Sequence, residues 1–203
     1  MSSSPSDVAA AKAARRRAVR ARRAAADLTP AEYAHSDTAV ASHVCSLADQ
    51  LAARRIATYL SYGTEMPTGA LNRALAPLRP WVPRPGCSGA IAWCRPPLPW
   101  WSAPVGCDER AVARVGPELP RASEAEVAAI DLCILPALAV DRRGVRLGQG
   151  GGWYDRALMA MPQAFVVALV WGNDVVDALP CEAFDRRVDA WITPEGLAVP
   201  TPR

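Results

Sequence analysis

Asp141-Arg142-Arg143-Gly144-Val145-Arg146-Leu147-Gly148-Gln149-Gly150-Gly151-Gly152-Trp153-Tyr154-Asp155-Arg156 is the stretch on which the reading of this chain turns. An apolar run, Leu132 to Val140, precedes it and predicts a buried strand; Tyr154 to Met161 follows and predicts a helix. Strand, glycine loop, helix is an order in which backbone N–H groups face an anion. Gly148, Gly150, Gly151 and Gly152 allow positive φ and close approach of a ligand to the main chain. Arg146 adds a fixed cation before the loop and Asp155 a carboxylate after it. The spacing excludes both the Walker phosphate loop and the dinucleotide fingerprint. A bare glycine cluster would read as a turn, but Trp153, Tyr154, Arg146 and Asp155 beside it favour a site for a metal–phosphate ligand.

Outward from the loop, the sequence predicts an α/β domain. Ser6 or Asp7 caps a first helix running to about Asp27, and Thr29-Pro30-Ala31-Glu32 is a capping box opening a second to about Ala53. Arg55 to Ser61 reads as a strand, with Gly63 and Glu65 at its carboxyl end, where open α/β sheets bind ligands. A short helix over 68–76, strands over 81–85 and 90–95, and a short acidic helix over 123–129 follow. Ala164 to Trp171 is another buried strand, implying a right-handed parallel crossover. Val175 to Pro180 reads as a turn or short helix, and a last strand ends at Thr193.

Composition narrows the class. A chain of 203 residues that is 51% hydrophobic and 21% charged suits one domain over 1–203, with residues 1–5 as a disordered tail. No apolar run approaches ~20 residues, so no membrane span is expected. The Ala- and Arg-rich first thirty residues lack an apolar core, so no secretory signal is expected; they resemble a transit peptide in composition but read better as a helix. Six cysteines without a C-x-x-C pair argue against a disulfide framework or zinc site and suit a reducing cytoplasm. His35 and His43, with no third ligand, read as surface or packing residues. Trp93, Trp100 and Trp101 read as packing residues rather than walls of a ligand cleft.

A net charge of +3 does not demand nucleic acid. Lys12, Arg16, Arg20 and Arg23 share one face of the first helix, and for the arginines a solvated basic face is the expectation. Lys12 is the only lysine in the chain, a compact ammonium in a sequence that otherwise uses Arg.

The central stretch resembles the signature of the 5-formyltetrahydrofolate cyclo-ligase (methenyltetrahydrofolate synthetase) family, roughly P-x-x-A-F-D-x-x-G-x-R-L-G-x-G-x-G-Y-Y-D-R. It matches at Pro136, Ala139, Asp141, Gly144, Arg146, Leu147, Gly148, Gly150, Gly152, Tyr154, Asp155 and Arg156. It departs at Val140, where Phe is usual, and at Trp153, where Tyr is usual; Gln149 and Gly151 stand where some members carry basic residues.

The resemblance implies a three-layer, Rossmann-like, mostly parallel open sheet with helices on both faces, of the NagB/RpiA/CoA-transferase-like kind. It implies a monomeric cytoplasmic enzyme that converts 5-formyltetrahydrofolate to 5,10-methenyltetrahydrofolate, with ATP as co-substrate and Mg²⁺, and with neither nucleic acid nor membrane as partner. Lys12 and Arg16 fit a K-x-x-x-R pattern at the nucleotide. ATP would meet these two with Arg146, Leu147, Gly148, Gln149, Gly150, Gly151, Gly152, Trp153 and Tyr154, and the folate would meet Leu60, Glu65, Gly150, Trp153 and Tyr154. Lys12, Arg146 and Tyr154 would act in catalysis. Asp155 and Asp185 would hold the metal, with Asp189 the alternative to Asp185. Rival readings are a non-catalytic binding member, an RNA-binding module on the basic helix, and another sugar-phosphate or CoA enzyme of similar sheet topology.

Overall fold

The structure is a computed structural model that describes residues 5–84, 91–96, 119–182 and 185–201. Its centre is a five-stranded sheet in the order β1-β4-β7-β9-β10, built from β1 (Ile56–Ala57), β4 (Leu132–Pro136), β7 (Phe165–Leu169), β9 (Ala190–Thr193) and β10 (Gly196–Ala198). The first four run parallel, in register Ile56↔Leu132, Leu132↔Phe165 and Val167↔Ala190; β10 turns back antiparallel on β9.

Side chains alternate across these strands as the pleat requires. Leu132, Ile134, Val167, Leu169, Ala190 and Ile192 pack on one face against Val40, Val44 and Leu47 of α2 (Pro30–Gln50) and Leu71 and Leu75 of α3 (Gly69–Leu75). Cys133, Leu135, Val166, Ala168 and Trp191 pack on the other against Val127 of α4 (Glu124–Ala128) and Ala157 and Leu158 of α5 (Trp153–Met159). Both faces are therefore covered, which is why the strands are apolar throughout, and each large aliphatic side chain so buried contributes about 1.5–3 kcal/mol. Trp93 lies in the second cluster, as a packing residue. The result is the expected mixed α/β architecture with a mostly parallel sheet between helices.

The expected strand from Leu132 to Val140 is two strands. It breaks after Pro136, and β5 (Ala139–Asp141) enters a separate sheet of order β6-β5-β8 with β6 (Arg146–Leu147) and β8 (Val175–Val176). The glycine loop thus follows a short antiparallel hairpin, Ala139↔Leu147 and Val140↔Arg146, rather than the central strand itself. The hairpin turn rests on Asp141, a fully buried carboxylate that accepts from the N–H groups of Arg143, Val145 and Leu179 and from the Arg143 guanidinium. Gly144 closes it at φ 78, where a Cβ would meet Val188 O at 2.7 Å.

Three further expectations are corrected. The strand over 55–61 has ladder pairing only at Ile56–Ala57, whose other edge takes the Trp81 segment through a parallel bridge at Ala57 and the bonds Trp81 N–H to Ile56 O and Thr58 N–H to Trp81 O. Val175–Val176 is a strand, paired parallel with β5. The edge strand β10 was not expected. The short hairpin of β2 (Val82–Arg84) and β3 (Ala92–Cys94) is as expected. Trp100, Trp101, residues 86–89, Cys107 and residues 1–4 lie outside the described residues, while Pro5, expected in the tail, opens the first helix. Among the described residues no helix is long and apolar enough to cross a membrane.

Candidate active site

α1 (Pro5–Ala25) lies over the small sheet, its Val19 buried with Leu138, Ala139, Val145, Leu147 and Leu179. This docking decides the fate of the basic face, which is solvated only in part: Lys12 and Arg23 are buried, Arg16 is half-buried and Arg20 is exposed. Arg23 is buried; its guanidinium donates to Asp174, to Ala137 O and Leu138 O where the central strand breaks, and to Thr64 O. Arg22 also pairs with Asp174. Arg16 Nε donates to Gly148 O at 2.9 Å and Arg20 to Gln149 O at 3.0 Å. Arg15, Arg17, Arg20 and Arg22 are exposed, as expected of a solvent-facing charge, although Arg20 and Arg22 also bond protein acceptors.

Lys12 reaches to the other end of the chain. Its Nζ lies 2.7 Å from Glu182 Oε2 and 2.6 Å from Asp185 Oδ2. Burial works against its charge, but the two carboxylates outweigh it and raise the ammonium's pKa above its ordinary value. Asp185 also takes the Glu182 N–H.

Lys12, Arg16, Glu182 and Asp185 meet at one cavity of about 530 Å³. Lys12 and Arg16 of α1, Leu60 and Glu65 after β1, Arg146 and Leu147 of β6, the loop residues Gly148, Gln149, Gly150, Gly151 and Gly152, then Trp153, Tyr154 and Asp155 of α5, and Asp185 near the carboxyl end all line it. Asp189, the alternative metal candidate, does not; its carboxylate accepts the Val166 N–H at the start of β7. His35 and His43 are also absent from the cavity, and His43 meets Pro194 O.

Within the cavity Arg146 is almost fully covered, its side chain 3% exposed, and donates to Asp155 Oδ1 at 2.6 Å. Its buried Nε has no hydrogen-bond partner, an uncommon condition for a guanidinium and one that an anionic ligand would relieve. Arg146 also lies 5.9 Å from the Tyr154 ring centre. Glu65 is 6% exposed, its Oε1 3.4 Å from Gln149 Nε2. Trp153 is half exposed on the loop. The wall thus combines cations, carboxylates and the glycine loop with apolar or aromatic groups such as Tyr59, Leu60, Ile91 and Leu138. This arrangement fits a polyphosphate together with a flat, partly apolar molecule.

Glu182, Tyr62 and Ile91 also line the cavity and were not anticipated. Glu182 left a trace, three residues before Asp185; Ile91 sits on a hairpin whose docking no local pattern announces. Asp155 and Asp185 are hard oxygen donors in the same cavity. Among the described residues no group of three or more potential metal ligands occurs. Two carboxylates beside a phosphate site fit Mg²⁺, which is commonly held by one or two carboxylates plus substrate phosphates and water.

Residues 8–194 match the model of the 5-formyltetrahydrofolate cyclo-ligase family. A 5-formyltetrahydrofolate cyclo-ligase of Mycolicibacterium smegmatis is 32% identical over 150 residues, covering 72% of this chain and 76% of that protein. One of Haemophilus influenzae is 29% identical over 177 residues, covering 81% and 88%. The structure of a 5,10-methenyltetrahydrofolate synthetase from Aquifex aeolicus superposes with a TM-score of 0.69 at 23% identity, covering 93% of this chain and 92% of that one. One from Mycoplasma pneumoniae gives 0.68 at 21% identity, covering 91% and 99%. The fold is theirs, and by its sequence the chain belongs to the 5-formyltetrahydrofolate cyclo-ligase family.

Proposed function

We propose that the cavity binds ATP and 5-formyltetrahydrofolate side by side and converts the latter to 5,10-methenyltetrahydrofolate, releasing ADP and phosphate. The observation that carries this reading is the convergence of Lys12 and Arg16 from α1 with Arg146, the glycine loop and Glu65 on one cavity.

The chemical obstacle is the formyl group on N5, an amide-like carbonyl whose oxygen leaves poorly. Transfer of the γ-phosphoryl to that oxygen forms an O–P bond and releases ADP. The N10 lone pair then attacks the formyl carbon, N10 gives up its proton, and phosphate departs with the C–O electron pair. No protein nucleophile enters, so the work of the chain is placement and charge neutralisation. Lys12, Arg16 and Arg146 hold phosphate oxygens, and the loop N–H groups add neutral donors. Glu65 accepts from the amino and ring N–H groups of the pterin, with Leu60 against its face. Tyr154 and Trp153 shape the wall where the two substrates meet. Mg²⁺ would be held by Asp155 and Asp185, where it would neutralise charge on the transferring phosphoryl group. Losing one well-placed donor in such a site typically costs about 3 kcal/mol of barrier.

The chain is read as a monomer working in the cytoplasm; its described cysteines, Cys45, Cys94, Cys133 and Cys181, are all free, in keeping with a reducing compartment. The deciding experiment follows methenyl product by absorbance, from 5-formyltetrahydrofolate with and without ATP and magnesium. Product formation that requires both supports the reading; none under any condition defeats it.

A further inference from the structure

The glycine loop is held from outside the cavity as well as from within. Residues Leu147 to Gly152 carry no charged side chain, yet three guanidiniums sit on the loop's carbonyls. Arg16 donates to Gly148 O, Arg20 to Gln149 O at 3.0 Å and to Gln149 Oε1 at 2.8 Å, and Arg156 to Gly151 O at 3.1 Å. Arg16 lines the cavity; Arg20 and Arg156 are not among its lining residues.

A trans peptide is planar, so the C=O of one residue and the N–H of the next point in opposite directions. Holding the Gln149 carbonyl toward α1 turns the Gly150 N–H away from α1; holding the Gly151 carbonyl toward Arg156 turns the Gly152 N–H away from that side chain. Such a loop has little of its own to fix these planes. Gly150 stands at φ 111 and Gly152 at φ 62, and the glycines leave both peptides free to flip.

On the reading of the cavity as an ATP site, we propose that Arg20 is a positioning residue for polyphosphate: it locks the peptide after Gln149 with the Gly150 N–H facing the ligand and brings an uncancelled positive charge to a neutral loop. Its bonds among the described residues go only to neutral acceptors of Gln149. Arg156 does the same for the next peptide but one. The Gln149 amide, gripped by Arg20 at its oxygen, offers its nitrogen to Glu65 Oε1 at 3.4 Å, so the same contact steadies the folate side more weakly.

The test compares Arg20→Ala, Arg20→Lys and Arg17→Ala, the last removing the same charge from an exposed position of the same helix. Calorimetric titration with MgATP and with magnesium tripolyphosphate reads the grip on phosphate, and initial rates with each substrate varied separate KM from kcat. Loss of a charge-assisted contact predicts that Arg20→Ala weakens both ligands and raises the KM for ATP by about tenfold. The folate KM should move by less than about twofold, kcat by less than about threefold, and Arg20→Lys should recover part of the loss. Arg17→Ala should bind like the wild type. Wild-type affinity in Arg20→Ala overturns the proposal, as does an equal loss in Arg17→Ala, which would assign the effect to the general field. If Arg20→Ala melts below the wild type, Arg20→Lys decides: affinity no better than the alanine variant's, at wild-type melting temperature, also overturns it. A wild type that binds MgATP but forms no methenyl product would sink the cyclisation reading and leave this one standing.

Discussion

Lys12 Nζ lies 2.6 Å from Asp185 Oδ2, joining the first helix to a segment 173 residues later across the mouth of the site. The same ammonium is 2.7 Å from Glu182, so one cation is shared by two carboxylates of the cavity wall, leaving the trio one negative charge in excess. For Lys12 to meet phosphate, Asp185 must find another positive partner, which is what a magnesium nucleotide brings. Lys12→Arg keeps the charge but sets a planar fork where a compact ammonium stood, and the fork suits the two carboxylates better than a third ligand. The expected outcome is a KM for ATP raised about tenfold, with stability within about 1 kcal/mol of the wild type. Lys12→Met should instead cost about 1–2 kcal/mol, because two half-buried carboxylates lose their shared cation. Steady-state kinetics beside thermal melts check both, and unchanged ATP kinetics in Lys12→Arg would remove Lys12 from the nucleotide site.

Arg23 is the bolt that holds α1 to the sheet. Its guanidinium, 6% exposed, pairs with the buried Asp174 and takes the carbonyls of Ala137 and Leu138, which the end of the central strand leaves without strand partners. Removing it leaves the buried Asp174 to Arg22 alone and takes the donor from two carbonyls at once. Arg23→Ala should lower stability by about 3–5 kcal/mol, and Arg23→Lys should recover only part of that, since an ammonium cannot span acceptors arranged for a fork. Urea unfolding reads both; a lysine variant as stable as the wild type would show that charge alone suffices.

These contacts mark how far the sequence could be read. The capping box at Thr29 and Glu32 is local chemistry and is present as written, as is that of Ser123 and Glu126. The glycine loop with its flanking Arg146 and Asp155 was expected from local spacing, and the distant Lys12 and Glu65 through the family resemblance; all of them line the one cavity. The break in the apolar run at Pro136 was not, since it is enforced by Arg23 from 114 residues away. The same holds for the basic face: Arg16, Arg20 and Arg23 have the periodicity of a solvated stripe, and only the docking of Val19 turns Arg16 and Arg23 inward, leaving Arg20 exposed. Val175–Val176 is too short to show alternation and becomes a strand through β5 alone.

Asp141 gives a prediction in pH. Burial opposes its ionisation, but Arg143 and the N–H groups of Leu179, Val145 and Arg143 outweigh that and hold the carboxyl below its usual range. A depressed carboxylate contributes stability that is present above its unfolded pKa, near 4, and lost as pH falls through the folded value. Asp141→Asn places an amide donor among these donors and should cost about 2–3 kcal/mol at neutral pH. The gap between wild type and variant should stay level from about pH 7 to pH 5 and narrow below about pH 4. Denaturation midpoints across that range supply the measurement; a gap that persists unchanged at about pH 2 would mean that the ionised form is not what matters.

On the proposed function, Glu65 serves the folate and not the nucleotide. It is buried, lines the cavity, and has its backbone N–H bonded to Tyr62 O in a tight turn that keeps the carboxylate in place. A pterin offers an amino group and ring N–H groups to such an acceptor, whereas ATP phosphates would be repelled by it, so its contribution should fall on the folate alone. Glu65→Gln keeps the volume and one acceptor but presents an NH₂ where the ligand also donates, and an unpaired polar contact of this kind costs about 1–3 kcal/mol. The folate KM should therefore rise about tenfold to a hundredfold, with the ATP KM shifting by no more than about threefold. Equal effects on both substrates would place Glu65 in the general architecture of the cavity. An effect on ATP alone would reverse the assignment of its two ends.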